Sequence, residues 1–503
     1  MNTSSSALNR QKEKNMNKTA ADKKNLIFYP LGTVGRDMVY ALISSYLLTF
    51  VLFTRSLTKA QLGAITAIMV FARVFDALND PIMGNIIEST RTKWGKFKPW
   101  LIAGCITTGG VIITLFNSKL NGWPFIWLFG AMYLLFSITY TMSDISYWGM
   151  VPALSSNADM RNQLTSRATL FAGIGSTAVS VFLPLLTAGT YCIGGDARTA
   201  YGVIAIGIAV LTPLFALFTF FGVKETRDLN KQPKTKVSLK KIVSTIGGND
   251  QLLWITIIFL IQQIGNSIVF GGLGSTYIYF SYGYEGGKYS TFTIVGMMAT
   301  AVLMVFYPVI SRHIKRKKLM GIMMIISSVG YGMMFGSGLV MKGDISFWIL
   351  VIGYMLGNFG SYSYYLIMMI SIMNTVEYNE LKKGTRDEGI ITSIRPFITK
   401  MASAVVVIVT AGVYAMLGVT DYTNQISDLE NAANAGTITD AEKISQIADV
   451  LKNVTSGETN GLLVWITIVP FIFMLASYLL YKKKYTLDED VYEDICRQLE
   501  AKK

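Results

Sequence analysis

Residues 73–85 read RVFDALNDPIMGN, inside a stretch otherwise apolar enough to cross a bilayer. At the centre of a membrane helix, Arg73, Asp76 and Asp80 left unpaired would together cost on the order of 8 to 10 kcal/mol. That cost demands a partner or a function. Asp76 and Asp80 are four residues apart and Arg73 lies three before Asp76, so on a helix all three share one face. Pro81 cannot donate to the Ala77 carbonyl, which frees an oxygen near the two acids, and Asn79 adds an amide. Two carboxylates with one guanidinium suit a hard monovalent cation, or a shared proton. The competing reading is purely structural, a set of interhelical salt bridges.

Outward from this segment the same apolar character recurs. The 503-residue chain is 51% hydrophobic and 15% charged, with a mean hydropathy of +0.43. That balance excludes an ordinary soluble domain. Twelve runs meet the spanning length: 28–53, 61–87, 99–117, 124–153, 162–188, 201–223, 252–281, 290–311, 319–341, 346–376, 389–418 and 460–481. The polar, basic N-terminus runs into a full span and reads as a tail rather than a cleaved signal. Segments on the side of the tail hold about 33 Lys or Arg and the other side about 8, which predicts both termini in the cytoplasm. The net charge of +14 is therefore a topology signal, not a nucleic-acid footprint, with attraction to anionic lipid secondary. Cys105, Cys192 and Cys496 fall in a helix, an outer loop and the tail, with no evident disulfide pair or metal-ligand spacing. The lone His313, in RHIKRKK (312–318), reads as part of a basic loop.

The ionisable groups inside spans are few: Arg36, Asp37, Arg73, Asp76, Asp80, Asp144, Arg395 and Lys400, with Glu377 and Glu380 at a helix end. Each is a functional candidate by its position. In TYTMSDISYW (139–148), Thr141, Asp144 and Trp148 recur at helical spacing and form one stripe. The basic loop 224–250 divides the spans into two sets of six, an arrangement known from transporters with a midplane site. The expected organisation is a tail 1–27, a first half 28–223, the loop 224–250, a second half 251–481 and a tail 482–503. The outer loop 419–459, acidic and weakly amphipathic, predicts one or two short surface helices, read as a solvated cap or a gate. LDEDVYEDICRQLEAKK predicts a short amphipathic helix.

LGTVGRD (31–37), ARVFDALNDPIMG (72–84), TRTKWGKFKPWLI (90–102), TMSDISYWGMVP (141–152), VEYNELKKGTRDEGIITS (376–393) and ITKMASA (398–404) together resemble the glycoside-pentoside-hexuronide:cation symporters of the major facilitator superfamily, the group that includes melibiose permease. The resemblance covers about residues 28–418 and is most specific around Asp76–Asp80. It implies an all-α membrane protein with twelve transmembrane helices in two six-helix halves. It assigns cation binding to Asp76, Asn79, Asp80 and Thr141, and Arg73, on the same helix face, is the charge partner that offsets one of the acids. Sugar binding falls to Asp37, Asp144 and Trp148, with Lys400 near both groups and Tyr365 at a family tryptophan position. An indole packs well on the C–H face of a pyranose. The chain departs from its relatives in three places. Arg167 in LTSRATLFAGIGST (164–177) is offset from the usual helix 5 arginine, leaving the partner of Asp37 and Asp144 open. Arg395 and Pro396 stand where melibiose permease has neutral residues, and Asn374 replaces an acid.

The expected function is secondary active symport of a sugar (glycoside, pentoside or hexuronide) with a monovalent cation, Na+ or H+, by alternating access. If sodium is the ion, Asp76 and Asp80 are its ligands. No cofactor and no enzymatic activity are expected, since no nucleophile and base pair is recognisable. The expected partners are a sugar, a monovalent cation and the lipid bilayer of the cell (inner) membrane, with no nucleic acid and a monomeric state. Two other readings stay open: a cation-coupled carrier of lipid-like amphiphiles, and a membrane sugar sensor that does not transport. Arg395 either marks an anionic sugar, because guanidinium pairs bidentately with carboxylate, or serves as counter-charge to a nearby Asp.

Overall fold

The computed structural model describes residues 20–155, 158–224, 244–270, 272–385 and 387–501, and among these the chain is helical throughout with no strand. The first span is broken into α1 (Ala20–Leu31), α2 (Val34–Ala41), a π turn at Leu42–Tyr46 and α3 (Leu47–Thr54). Then follow α4 (Lys59–Ser89), α5 (Lys98–Phe116), α6 (Gly122–Gly149, continued by one turn at Val151–Leu154), α7 (Ala158–Thr187) and α8 (Ala197–Gly222). The second half holds α9 (Asp250–Phe270) and α10 (Gly272–Tyr282), which form one span, α11 (Gly286–His313), α12 (Arg316–Ser337), α13 (Asp344–Lys383) and α14 (Glu388–Met416). Two shorter helices, α15 (Val419–Asn434) and α16 (Asp440–Lys452), precede the last span α17 (Ser456–Lys484) and the tail helix α18 (Glu489–Ala501).

Ten helices among the described residues are long and apolar enough to cross a membrane. Of the two remaining expected spans, α4 is 31 residues long and carries Arg73, Asp76 and Asp80, and α11 is 28 residues long. The expected spans agree with the observed helices to within a few residues, except that the first is interrupted and the tenth runs on to Lys383. The expected basic loop lies mostly in 225–243, outside the described residues, as do the side chains of Ala77 and Pro81.

The break in the first span follows from its sequence. Pro30 has no N–H to give the Leu26 carbonyl, and Arg167 of α7 donates to that carbonyl at 3.2 Å instead. Arg167 thus serves the kink at one end of the bundle. Gly35 lets α2 press on α8: a Cβ there would stand 2.5 Å from the Cα of Thr212, whose hydroxyl donates to the Gly35 carbonyl at 3.1 Å. This contact fixes the depth and rotation of Arg36 and Asp37. Between the halves, α4 packs on α14 and α7 on α11.

The face of the bundle carrying residues 20 and 501, here the terminal face, is closed in the second half by the tail. Asp488, Glu489 and Asp490 pair with Lys317, Arg316 and Lys315 at 3.2, 2.9 and 2.6 Å. Lys315, Arg316 and Lys317 of the loop RHIKRKK are therefore each paired with an acid of the tail. His313 sits there with Nδ1 2.9 Å from the Val309 carbonyl. At the opposite, far face, α15 and α16 form the expected surface helices.

Candidate functional site

α6 organises the middle of the bundle. Four of its side chains, Ser137, Thr141, Asp144 and Trp148, recur at intervals of three or four and so line one face. The Ser137 hydroxyl donates to Asp76 Oδ1, and Thr141 Oγ1 donates to Asp80 Oδ1 at 3.2 Å. Asp76 is buried, with its other oxygen 4.0 Å from Arg73. Asp80 is 37% exposed, and its second oxygen accepts from Lys400 Nζ of α14 at 2.5 Å. That pair crosses from one half to the other.

Asn79 completes this group. It is buried, and its Nδ2 finds no partner among the described residues. Turning the amide by half a revolution puts the carbonyl oxygen there instead, on a residue three places from Asp76 and next to Asp80 in sequence. The donor set is thus all oxygen, which is what a hard monovalent ion takes.

One to two turns along α6 a second group forms. Arg36, 2% exposed, bridges Asp37 at 2.8 Å and Asp144, and also donates to Thr33 at 2.7 Å. Thr33 in turn donates to Asp37. The guanidinium lies 4.8 Å over the ring of Tyr147 and 5.3 Å over that of Trp148. Tyr29 and Tyr147 hold this corner rigid. Their rings stack 4.4 Å apart, and each hydroxyl donates to the other's backbone carbonyl at 2.9 Å. Asp144 is 40% exposed, so one carboxylate still faces open space with an indole beside it. Acceptor, donor and apolar ring together are what a polyhydroxylated ring needs.

Tyr365 and Arg395 meet on the second half, the guanidinium 5.7 Å over the tyrosine ring, and Phe259 lies 5.9 Å from the same ring. Asp37, Asp76, Asn79, Asp80, Thr141, Asp144, Trp148 and Lys400 thus gather around α6, while Tyr365 and Arg395 pair across α13 and α14. Lys400, expected near both groups, is bonded on the Asp80 side. Two participants carry no role in the sequence reading. Arg36 is the partner of Asp37 and Asp144 that helix 5 does not supply, and its signal was its adjacency to Asp37. Ser137 is four residues before Thr141 and simply extends the polar stripe. Among the described residues no cluster of three His, Cys, Asp or Glu side chains could hold a metal ion.

The family model described as MFS/sugar transport protein matches residues 28–489. The chain belongs to that family. This transporter is 28% identical, over 94% of its length and 71% of the other, to a lactose permease of Lactobacillus helveticus. A putative glycoside/cation symporter of Escherichia coli (strain K12) is 28% identical over 56% of this chain and 60% of its own. In fold it is similar to a bacterial homolog of the human lysosomal transporter Spinster, inward-facing and unoccupied. The TM-score is 0.60 at 11% identity, covering 93% of this chain and 98% of that one. The transporter is a multi-pass membrane protein of the major facilitator fold, and not an enzyme.

Proposed function

We propose that the protein is a cation-coupled sugar symporter of the cell membrane, monomeric, with both termini in the cytoplasm. Residues 28–223 and 251–481 are the halves that rock about the central groups. Names of relatives, lactose permease and glycoside/cation symporter, support the sugar and the coupling ion. The observation that carries the reading is that one helix serves both groups. Ser137 and Thr141 hold the acids of α4, and Asp144 and Trp148 face Arg36 and Asp37.

A shared helix makes the two ligands dependent on one another. With no cation bound, the Lys400 ammonium neutralises Asp80 across the halves. A cation at Asp76, Asn79, Asp80 and Thr141 takes over that charge and frees Lys400 from the acid. It also fixes α6 against α4, which sets Asp144 and Trp148 for the sugar. The sugar hydroxyls then bond to the lone pairs that Arg36 leaves free on Asp37 and Asp144, through charge-assisted hydrogen bonds. Sodium and proton both fit the donor set, and the ion is cargo rather than a resident cofactor. Arg395, exposed over Tyr365, adds a further reading: an anionic sugar such as a hexuronide. Equal competition by neutral and uronide sugars removes it.

The test is uptake in vesicles. Asp76→Asn and Asp80→Asn are each expected to abolish cation-stimulated uptake, and full coupled transport by both variants sinks the assignment. A binding screen of glycosides, pentosides and uronides, with and without sodium at two pH values, identifies sugar and ion together.

A further inference from the structure

α15 and α16 belong by sequence to the second half, yet α15 is bonded to two of the three far-face turns of the first half. Asn424 takes the backbone of Leu57 with both ends of its amide. The Leu57 N–H donates to Oδ1 at 2.8 Å, and Nδ2 donates to the Leu57 carbonyl at 2.9 Å. The Ser56 hydroxyl donates to the Asp428 carboxylate, and Asn431 Nδ2 reaches the Thr54 carbonyl at 3.5 Å. Residues 424, 428 and 431 lie on one helical face, so these contacts form or break as a set.

The turn before α8 is held by the neighbouring face. Glu430 Oε2 accepts from the N–H of Ala197, an otherwise unfilled donor in the first turn of α8, at 2.7 Å. Asn434 donates to Asp196 and Thr199 at 3.1 and 2.9 Å, and Lys443 donates to the Gly195 carbonyl. Glu430 and Lys443 are fully buried and 3.5 Å apart, and Asp440 lies 2.9 Å from the same ammonium. A loop that only shaded the surface would leave such charges in water, because burying them costs more than an exposed pair returns.

Against its own half the cap is less closely fitted. Tyr422 donates to the Asn453 carbonyl and to Glu458 at 3.1 and 3.2 Å. Between α16 and the turn after α10, however, lies a cavity of about 300 Å3 lined by Phe280, Tyr284, Ile444, Ile447 and Leu451. A second far-face seam runs beside the cap. There the Gly286 N–H donates to the Ala188 carbonyl at 3.1 Å, and Ser290 donates to the Val181 carbonyl at 2.7 Å.

We propose that the cap is a latch: α15 holds the far face shut by tying the first and third far-face turns of the first half to the second, and it lets go each time that face opens. The inference rests on the alternating-access reading above. Because the bonds to Thr54, Leu57 and Ala197 all come from α15, the far face opens only when they break together.

The test uses the full chain in vesicles, with Ser56→Cys and Asp428→Cys bridged by a bifunctional methanethiosulfonate and Cys192→Ser to remove the nearby thiol. Bridging is expected to cut uptake of radiolabelled lactose at least tenfold, with recovery on reduction. A bridge that forms while uptake continues unchanged overturns the latch, and so does failure of the bridge to form. In a second measurement, Asn424→Ala with Asn434→Ala is expected to speed hydrogen exchange at Leu57 and Ala197 at least tenfold, and unchanged exchange also overturns the latch. Absence of lactose uptake before bridging would count against the transport reading alone, since the exchange measurement judges the latch without any substrate.

Discussion

Arg36 touches two carboxylates and two aromatic rings from a position almost closed to solvent. Removing it leaves Asp37 and Asp144 without their counter-charge, and Asp37, the more buried of the two, is then left without its partner. Arg36→Ala is therefore expected to lower the thermal midpoint and to abolish sugar binding. Arg36→Lys keeps the charge but not the fork that reaches both acids, and should keep the fold while weakening sugar binding. Calorimetry and a sugar titration on both variants check this, and unaltered binding by Arg36→Ala would refute it. Ser137→Ala removes one hydrogen bond to Asp76. A loss of about 1 kcal/mol, or roughly fivefold in cation affinity, is expected; an unchanged cation titration would show that Ser137 does not position the acid. At this scale the sequence exposes the participants, because charge inside an apolar run has few innocent explanations. It does not expose their pairing: nothing in LGTVGRD says that Arg36 rather than Arg167 reaches Asp144, which is 108 residues away.

Among the elements, the far-face seam of α7 and α11 depends on a missing side chain. A Cβ at Gly286 would stand 1.6 Å from the Pro184 carbonyl oxygen. Gly286→Val is expected to destabilise the closed seam by about 1 to 3 kcal/mol, the usual cost of forcing volume into packed structure. Faster hydrogen exchange at 286–290 reads this directly, and exchange as slow as in the unsubstituted protein would contradict it. The cap carries a pH dependence of definite sign. Burial pushes the Glu430 carboxyl up from its ordinary 4.5 to about 7, against the pull of Lys443 and the Ala197 N–H, with Tyr284, Asp196, Cys192 and Asp440 also nearby. The docked cap thus binds a proton more tightly than the undocked one. Its docking is strongest below pH 4.5 and weakens as pH rises through 7. Lys443 is pushed upward and stays charged across that window. Hydrogen exchange at Ala197, corrected for its intrinsic rate, should be faster at pH 8 than at pH 6, and Glu430→Gln should remove the difference. The cap helices themselves were legible, since Thr439 and Glu442 form a capping box ahead of an amphipathic run. What they dock on was not, because their partners at 54–57 and 195–199 carry no distinctive pattern.

For the whole molecule, the proposed coupling through α6 has a thermodynamic signature. If cation raises sugar affinity by some factor, sugar must raise cation affinity by the same one, on the order of 5- to 150-fold for typical couplings. Calorimetric titrations in both orders check this, and independent binding of the two ligands would refute a shared helix as the link. The chain by itself determined the membrane class, the spans, the family and nearly all of the central polar residues. Those features are written in local composition and spacing: apolar runs of spanning length, charges at intervals of three and four, and motifs in order. Only the tertiary structure decided which acid meets which base, that the first span breaks so Arg167 serves a kink, and that the segment 419–459 clasps the opposite half. These are contacts between segments tens to hundreds of residues apart. Their geometry is set by how closely helices approach, at glycines such as Gly35 and Gly286, and not by any property readable within one segment.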